Sequence, residues 1–186
     1  IVGSGAIGIE FASFYNDLGV DVTIVEALPS ILPNEDTDIS KIVKLNFEKR
    51  GIKIKTNSAL KSVKSKDNSV LAEIITNEKV ETINSEKLIL AIGIIANTEK
   101  LGLKDFNVKI DKGHIVTNEF LETDEKGIYA IGDITDGPWL AHKASHEGIL
   151  CVEKIAGQKN LKPIDKTSIP GCTYCRPQVA SIGMTE

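Results

Sequence analysis

The chain has 186 residues and a formal net charge of −4, with 41% hydrophobic and 26% charged residues. That is the composition of a folded globular protein rather than a disordered one, and its mild acidity argues against a general nucleic-acid or membrane-surface binder. No apolar run approaches the ~18 residues that span a bilayer, and only Arg50 and Arg176 among the 22 basic residues are arginines, so planar phosphate clamps are nearly absent.

From Gly5 to Leu18 the apolar residues Ile7, Phe11, Phe14, Tyr15 and Leu18 recur at helical spacing, and Gly19 supplies a stop. Val20 to Val25 reads as a buried strand, so the chain opens as strand, glycine turn, helix and strand: a βαβ unit with a parallel sheet. A proline-bracketed loop, Leu28 to Pro33, leads to a second helix from about Thr37 to Arg50, with Asp36 or Asp38 as N-cap and Gly51 as stop. Ile52 to Lys55 reads as a short strand. Leu60 to Lys64, Val70 to Thr76 and Val80 to Ile83 read as a meander turning at Asp67-Asn68 and Asn77-Glu78. Lys61, Lys64 and Lys66 form its solvated face.

Leu88 to Ile92 is a further apolar strand, after which residues 97 to 127 are irregular, with a short strand at Ile115-Val116. Ile128 to Ile131 reads as a buried strand ending in Gly132-Asp133. A third helix runs from about Leu140 to Ala156, with Ala141, Ala144, Ser145, Gly148, Ile149, Val152 and Ile155 as its packing face. A linker, 158 to 167, precedes a new start at Ser168. The opening Ile1-Val2-Gly3 is the end of a strand, and the expectation is an internal piece of a longer protein, with no signal or transit peptide read. Three cysteines are too few for a disulfide scaffold and point to a reducing compartment.

Two segments carry chemistry. Gly3-Ser4-Gly5-Ala6-Ile7-Gly8 is G-x-G-x-x-G between a strand and a helix. Gly3 makes the tight turn, Gly5 admits a pyrophosphate, and Gly8 lets helix and strand pack closely. The helix N-terminus offers N–H donors and partial positive charge to phosphates. Glu26 stands roughly 20 residues beyond the glycines, where an acid accepts from ribose hydroxyls. A 2′-phosphate there meets like charge with no arginine near it, which favours NAD over NADP. Glu10, on the second turn of the helix, is read as facing the nicotinamide end of the cofactor. The second segment runs from Thr123 through Ile128 to Gly132-Asp133. Its aspartate can accept from ribityl hydroxyls, and the helix starting at Trp139, Leu140, Ala141 and His142 directs N–H groups toward the electron-rich edge of a flavin.

Val2 to Glu10, Val25-Glu26, Ala91-Ile92-Gly93 with Asn97-Thr98, Ile128 to Asp133 and Gly137 to Ala144 together resemble the pyridine nucleotide–disulfide oxidoreductases, and within them the dihydrolipoamide dehydrogenase branch. The Leu140-Ala141-His142-Lys143-Ala144 run, followed by Glu147-Gly148, sets it apart from glutathione-reductase-like relatives. The resemblance implies an α/β fold in three parts: a Rossmann-like NAD domain with parallel sheet and meander at 1–95, the C-terminal part of an FAD domain at 96–165, and the start of a dimer-interface domain at 166–186. It implies that Gly3, Ser4, Gly5, Ala6, Ile7, Gly8, Ile9, Glu10 and Glu26 hold NAD, with Ile7 near the flavin–nicotinamide stack. Leu60 lies near the adenine and Gly93 on the nicotinamide side. Asp133, Trp139, Leu140, Ala141 and His142 hold FAD. Where the family often has Gly-Arg-Arg-Pro-Asn, this chain has Gly93-Ile94-Ile95-Ala96-Asn97, without the arginines.

The implied activity of the parent protein passes electrons from dihydrolipoyl groups to a disulfide, through FAD, to NAD. Its implied partners are the lipoyl domains of 2-oxo acid dehydrogenase complexes and a second copy of itself, with no nucleic acid and no membrane. The bacterial cytoplasm is the expected location, with the mitochondrial matrix as alternative. The family's N-terminal flavin motif, its redox cysteine pair and its C-terminal His-Glu pair have no counterpart here, so no residue of this chain is expected to be catalytic and an isolated chain is expected to be inactive. Cys172 and Cys175 align with strand residues, where side chains three apart face opposite sides. Cys151 reads as a core residue, His114 as a surface one, and His142 with His146 as no metal site for want of a third ligand. Two other readings stand beside this one: another NADH-dependent flavin disulfide reductase or peroxidase, and a noncatalytic NAD-binding module.

Overall fold

Val2 is the hinge of the first sheet. In the computed structural model, which describes residues 1–185, it forms parallel bridges with Val25 on one side and Leu90 on the other. Strand β1 (Thr23–Val25) pairs in parallel with β2 (Lys53–Lys55), Ile24 opposite Ile54. The four parallel segments therefore run 53–55, 23–25, 1–3, 89–91, the 3-2-1-4 order of a doubly wound α/β sheet. β1 starts later than the sequence implies, and Val20 is exposed. The expected strand Leu88–Ile92 is shorter too: among the described residues it pairs only with the brief Val2 segment, through Val2 N to Ile89 O and Ala91 N to Val2 O, and Ile92 is exposed.

Helix α1 (Ala6–Asp17) buries Gly8, Ile9, Ala12 and Ser13. Ile7, Phe11, Phe14 and Leu18, which mark the helix in the sequence, are exposed. Small residues let the helix approach the sheet; the large ones would hold it off. Helix α2 (Thr37–Lys49) is capped by Asp36, whose side chain accepts from Asp38 N, and buries Val43 and Phe47. Ile9, Ala12, Val22, Ile24, Ile31, Leu32, Val43, Phe47 and Ile52 form one core. The meander is β3 (Ser58–Lys66), β4 (Ser69–Thr76) and β5 (Lys79–Ser85), antiparallel throughout. Its turns fall at Asp67 and at Asn77-Glu78, all with positive φ. Lys61, Lys64 and Lys66 are exposed, as expected of its outer face.

The chain divides into two units: residues 1–93 with the segment from 170 onward, and residues 94–169. In the second unit β6 (Ile110–Asp111) and β7 (His114–Ile115) form a small hairpin. The stretch Ile128–Ile131 is not the buried strand the sequence implies. Tyr129 bridges to Glu122 and Ala130 N bonds Leu121 O, but only Ala130 is buried and Ile131 is exposed. With a single short bridge to pair against, no ladder extends. Helix α3 (Ala141–Ile155) departs most from expectation. Its buried residues are Lys143, Glu147, Leu150 and Cys151, whereas Ile149, Val152 and Ile155 are 57–64% exposed. The two charges pair with each other and with backbone groups, which removes the cost that would otherwise keep them in water.

The final segment returns to the first unit as a hairpin, β8 (Gly171–Thr173) against β9 (Val179–Ser181). Cys175 and Val179 join the core of Ile9 and Phe47. Tyr174 N donates to Glu10 Oε1 at 2.9 Å, Arg176 N to Ser13 Oγ at 3.0 Å, and Arg50 bonds both Asp17 and the Arg176 carbonyl.

Candidate functional site

In the first unit the glycine turn is built by steric exclusion. Gly3 has φ +95°, and a Cβ there would overlap the Ala91 carbonyl; a Cβ on Gly8 would overlap the Gly3 carbonyl. These two glycines bring the first strand, the 89–91 segment and α1 closer than any side chain permits. Gly5 is different. A Cβ there would meet nothing within 4 Å, so the space beside the start of α1 is open. Gly5 is also the N-cap, no side chain caps the helix, and its first turn holds no acid. Unused N–H donors facing open space at a helix N-terminus fit an anionic ligand such as a pyrophosphate.

Glu26 lies just past β1 and is buried. Its Oε2 accepts from Ser4 N at 2.8 Å and Ser4 Oγ at 2.6 Å, and its Oε1 from Leu28 N at 2.8 Å. The glycine turn and the acid are thus joined directly through Ser4, which is itself fully buried. A carboxylate has about four acceptor positions, so three bonds leave room for a hydroxyl. Leu60 is half-buried beside Val2, Val25 and Ile74. Gly93, φ +140°, is exposed with open space around its Cα. Ile7 and Ala6 are exposed and Ile9 is buried. Glu10 is half-buried, with one oxygen committed to Tyr174 N. Ile94 and Ile95, which stand where the family often has arginines, are exposed.

In the second unit Thr123 ties the approach to the Gly-Asp turn, its Oγ1 donating to Ile128 O at 2.8 Å. Gly132 has φ +75°, and a Cβ there would sit 3.3 Å from Ala144 Cβ, so α3 lies tight against the turn. Asp133 is exposed and takes part in no hydrogen bond among the described residues. Trp139 and Leu140 are half-buried, Ala141 and His142 exposed. No side chain caps α3 and its first turn holds no acid. An exposed carboxylate acceptor near an uncapped helix start suits a ligand rich in hydroxyls. His114 is not the surface residue the sequence implies: it packs edge-on against Trp139 at 5.7 Å, and its Nε2 is buried without a partner among the described residues.

The cysteines are all free. Cys172, on β8, is exposed, whereas Cys175 lies beyond the strand end, buried, with Sγ donating to Pro177 O. The two do face apart, but because the chain turns after Thr173 rather than because a strand alternates. Burial, with Glu10 nearby, pushes the Cys175 thiol up to about 11. Burial raises Cys151 as well, with a smaller push from Glu122. The sequence singles out Lys143 and Glu147 only as marks of the branch; that they bond the Gly132 turn was missed. Their i, i+4 spacing is the signal that could have found them.

A parallel 3-2-1-4 arrangement with a glycine turn after its first strand defines a Rossmann-type α/β protein. Residues 1–148 match the model of the pyridine nucleotide-disulphide oxidoreductases, and the chain belongs to that family. It is 51% identical to a dihydrolipoyl dehydrogenase of Rhizobium etli and 43% identical to one of Bacillus subtilis, in each case over all of this chain and 39–40% of the relative. Among solved structures it is similar to LpdA from Mycobacterium tuberculosis, with TM-score 0.89 at 30% identity over 98% of this chain and 39% of that one. It is also similar to the HOCl-induced flavoprotein disulfide reductase RclA from Escherichia coli, with TM-score 0.89 at 26% identity, covering 100% of this chain and 42% of that one. The chain therefore spans about 40% of the length of the curated relatives it matches. Among the described residues no helix is long and apolar enough to cross a membrane.

Proposed function

We propose that this chain is the NAD-binding part, with a portion of the FAD-binding part, of a flavoprotein that oxidises dihydrolipoyl groups and reduces NAD. The observation that carries the reading is the buried Glu26 carboxylate bonded to Ser4 inside the glycine turn. A negative charge fixed beside the helix N-terminus accepts ribose hydroxyls and repels a 2′-phosphate. Residues 1–95 serve NAD, with Gly3 to Glu10 at the phosphates and nicotinamide end, Glu26 at the ribose, Leu60 toward the adenine and Gly93 toward the nicotinamide. Residues 96–165 complete the flavin domain, where Asp133 and Trp139 to His142 hold FAD. From 166 onward a dimer-interface domain begins. FAD, when bound, carries the electron pair between the dihydrolipoyl group and NAD. The protein's own groups here bind and orient; none of its three cysteines is the redox pair. Whole relatives are 38–51% identical to this chain and carry the name dihydrolipoyl dehydrogenase, which supports lipoyl domains of 2-oxo acid dehydrogenase complexes as partners, a homodimeric parent, and the bacterial cytoplasm as location.

The chain on its own is expected to bind NADH and to show no lipoamide-dependent NADH oxidation. Turnover by the purified chain overturns this account of where the chemistry lies.

A further inference from the structure

Two of the most deeply buried charges of the second unit have no role in the flavin reading as it stands. The Lys143 and Glu147 side chains are 1% and 6% exposed and lie 3.1 Å apart on successive turns of α3. Their remaining polar contacts converge on a single turn. Glu147 Oε2 accepts from Gly132 N at 2.6 Å, while Lys143 Nζ donates to Gly132 O at 3.0 Å and to Thr135 Oγ1 at 3.1 Å. Thr135 Oγ1 in turn donates to Gly132 O at 2.7 Å. Both backbone groups of Gly132 are thus held by one ion pair, and the next residue is the exposed Asp133.

A buried ion pair is a poor source of stability, because desolvation cancels most of the attraction and an apolar pair of the same size often does as well or better. What it supplies here is direction: two hydrogen-bonding ends aimed at the N–H and C=O of one glycine. We propose that Lys143 and Glu147 are positioning residues that fix the Gly132–Thr135 turn and so present Asp133 to the flavin before the flavin arrives. The proposal rests on the flavin reading of Asp133. Ordering the turn in advance removes an entropic cost from binding, so the pair acts on FAD affinity as well as satisfying the buried backbone groups of Gly132.

The test uses the full-length protein, stripped of flavin, carrying Lys143→Met with Glu147→Leu, which removes both charges together and also takes the acceptor from the Gly132 N–H. Apoprotein is titrated with FAD by quenching of flavin fluorescence, and its melting temperature is measured without flavin. The expected result is an FAD dissociation constant raised at least tenfold in an apoprotein that still folds, with a lower melting temperature because the buried Gly132 N–H loses its acceptor. A smaller rise, or none, in a folded apoprotein overturns the proposal. Asp133→Ala is titrated in parallel. If it weakens FAD binding while the double variant does not, positioning alone has failed; if it has no effect either, the flavin reading of Asp133 has failed first. Should the double variant not fold, amide exchange of the unaltered protein decides. Gly132 N–H is expected to exchange slowly already without FAD. Fast exchange that slows only when FAD is added overturns the proposal.

Discussion

At Glu26 a single carboxylate does two jobs that a mutation separates poorly. It accepts from Ser4 N, Ser4 Oγ and Leu28 N, so it shapes the turn as well as offering oxygens to a ribose. Glu26→Ala is expected to weaken NADH by roughly 1–3 kcal/mol, the scale of a charge-assisted hydrogen bond. It should also lower stability, because two backbone N–H groups and a hydroxyl lose their acceptor. NADH fluorescence titration and urea unfolding on the same sample read both, and an unchanged affinity contradicts the assignment. The cysteines give a second residue-scale test. A thiol held near 11 is protonated at pH 8 and slow to alkylate. Cys172 is exposed and expected to react with iodoacetamide first, with the buried Cys151 and Cys175 lagging until the chain unfolds. The sign of the linkage follows: Cys175 has a folded value above its ordinary one, so its contribution to stability is intact below about 9 and is lost as pH rises toward 11. Equal labelling rates at all three sites contradict the burial described here.

Among the elements, the glycines of the turn differ in what they exclude. Gly8→Ala forces a Cβ into the Gly3 carbonyl, and a rigid backbone clash of this kind costs about 1–3 kcal/mol. It should reduce both melting temperature and NADH binding. Gly5 has φ −67° and empty space around it, so Gly5→Ala is expected to leave stability within about 0.5 kcal/mol while raising the NADH dissociation constant at least tenfold. Loss of stability in Gly5→Ala together with unchanged NADH affinity contradicts the reading. The positions of α1, α2 and the meander were legible because period, caps and turn residues agree: Asp36 caps, Gly19 and Gly51 stop, and Asp67 and Asn77 turn. The buried faces were less so. In α3 apolar spacing favoured Ala141, Ala144, Ser145, Gly148, Ile149, Val152 and Ile155, yet the helix turns Lys143 and Glu147 inward. Periodicity weighs hydrophobicity and cannot see that two buried charges satisfy each other and one glycine.

On the scale of the whole molecule, the parallel sheet and the α/β class were legible in the opening βαβ unit, whereas the order 3-2-1-4 rests on the pairing of 53–55 with β1 and of 89–91 with Val2. Two features lay beyond reach. Nothing local marks Ile128–Ile131 as lacking a ladder, and nothing marks the segment after 170 as packing on α1, because both depend on partners far away in sequence. That second packing is testable. Arg50 donates to Ser13, Asp17 and the Arg176 carbonyl, and Arg50→Ala is expected to cost about 1–3 kcal/mol in urea unfolding while leaving the Glu26 site intact. The central claim is that the first unit holds NAD and discriminates against NADP. The most direct measurement titrates this chain with NADH and with NADPH under identical salt, following nicotinamide fluorescence. The account predicts saturable NADH binding and NADPH binding at least tenfold weaker, with the preference narrowed in Glu26→Ala. Equal or tighter NADPH binding, or no NADH binding by a folded chain, contradicts it.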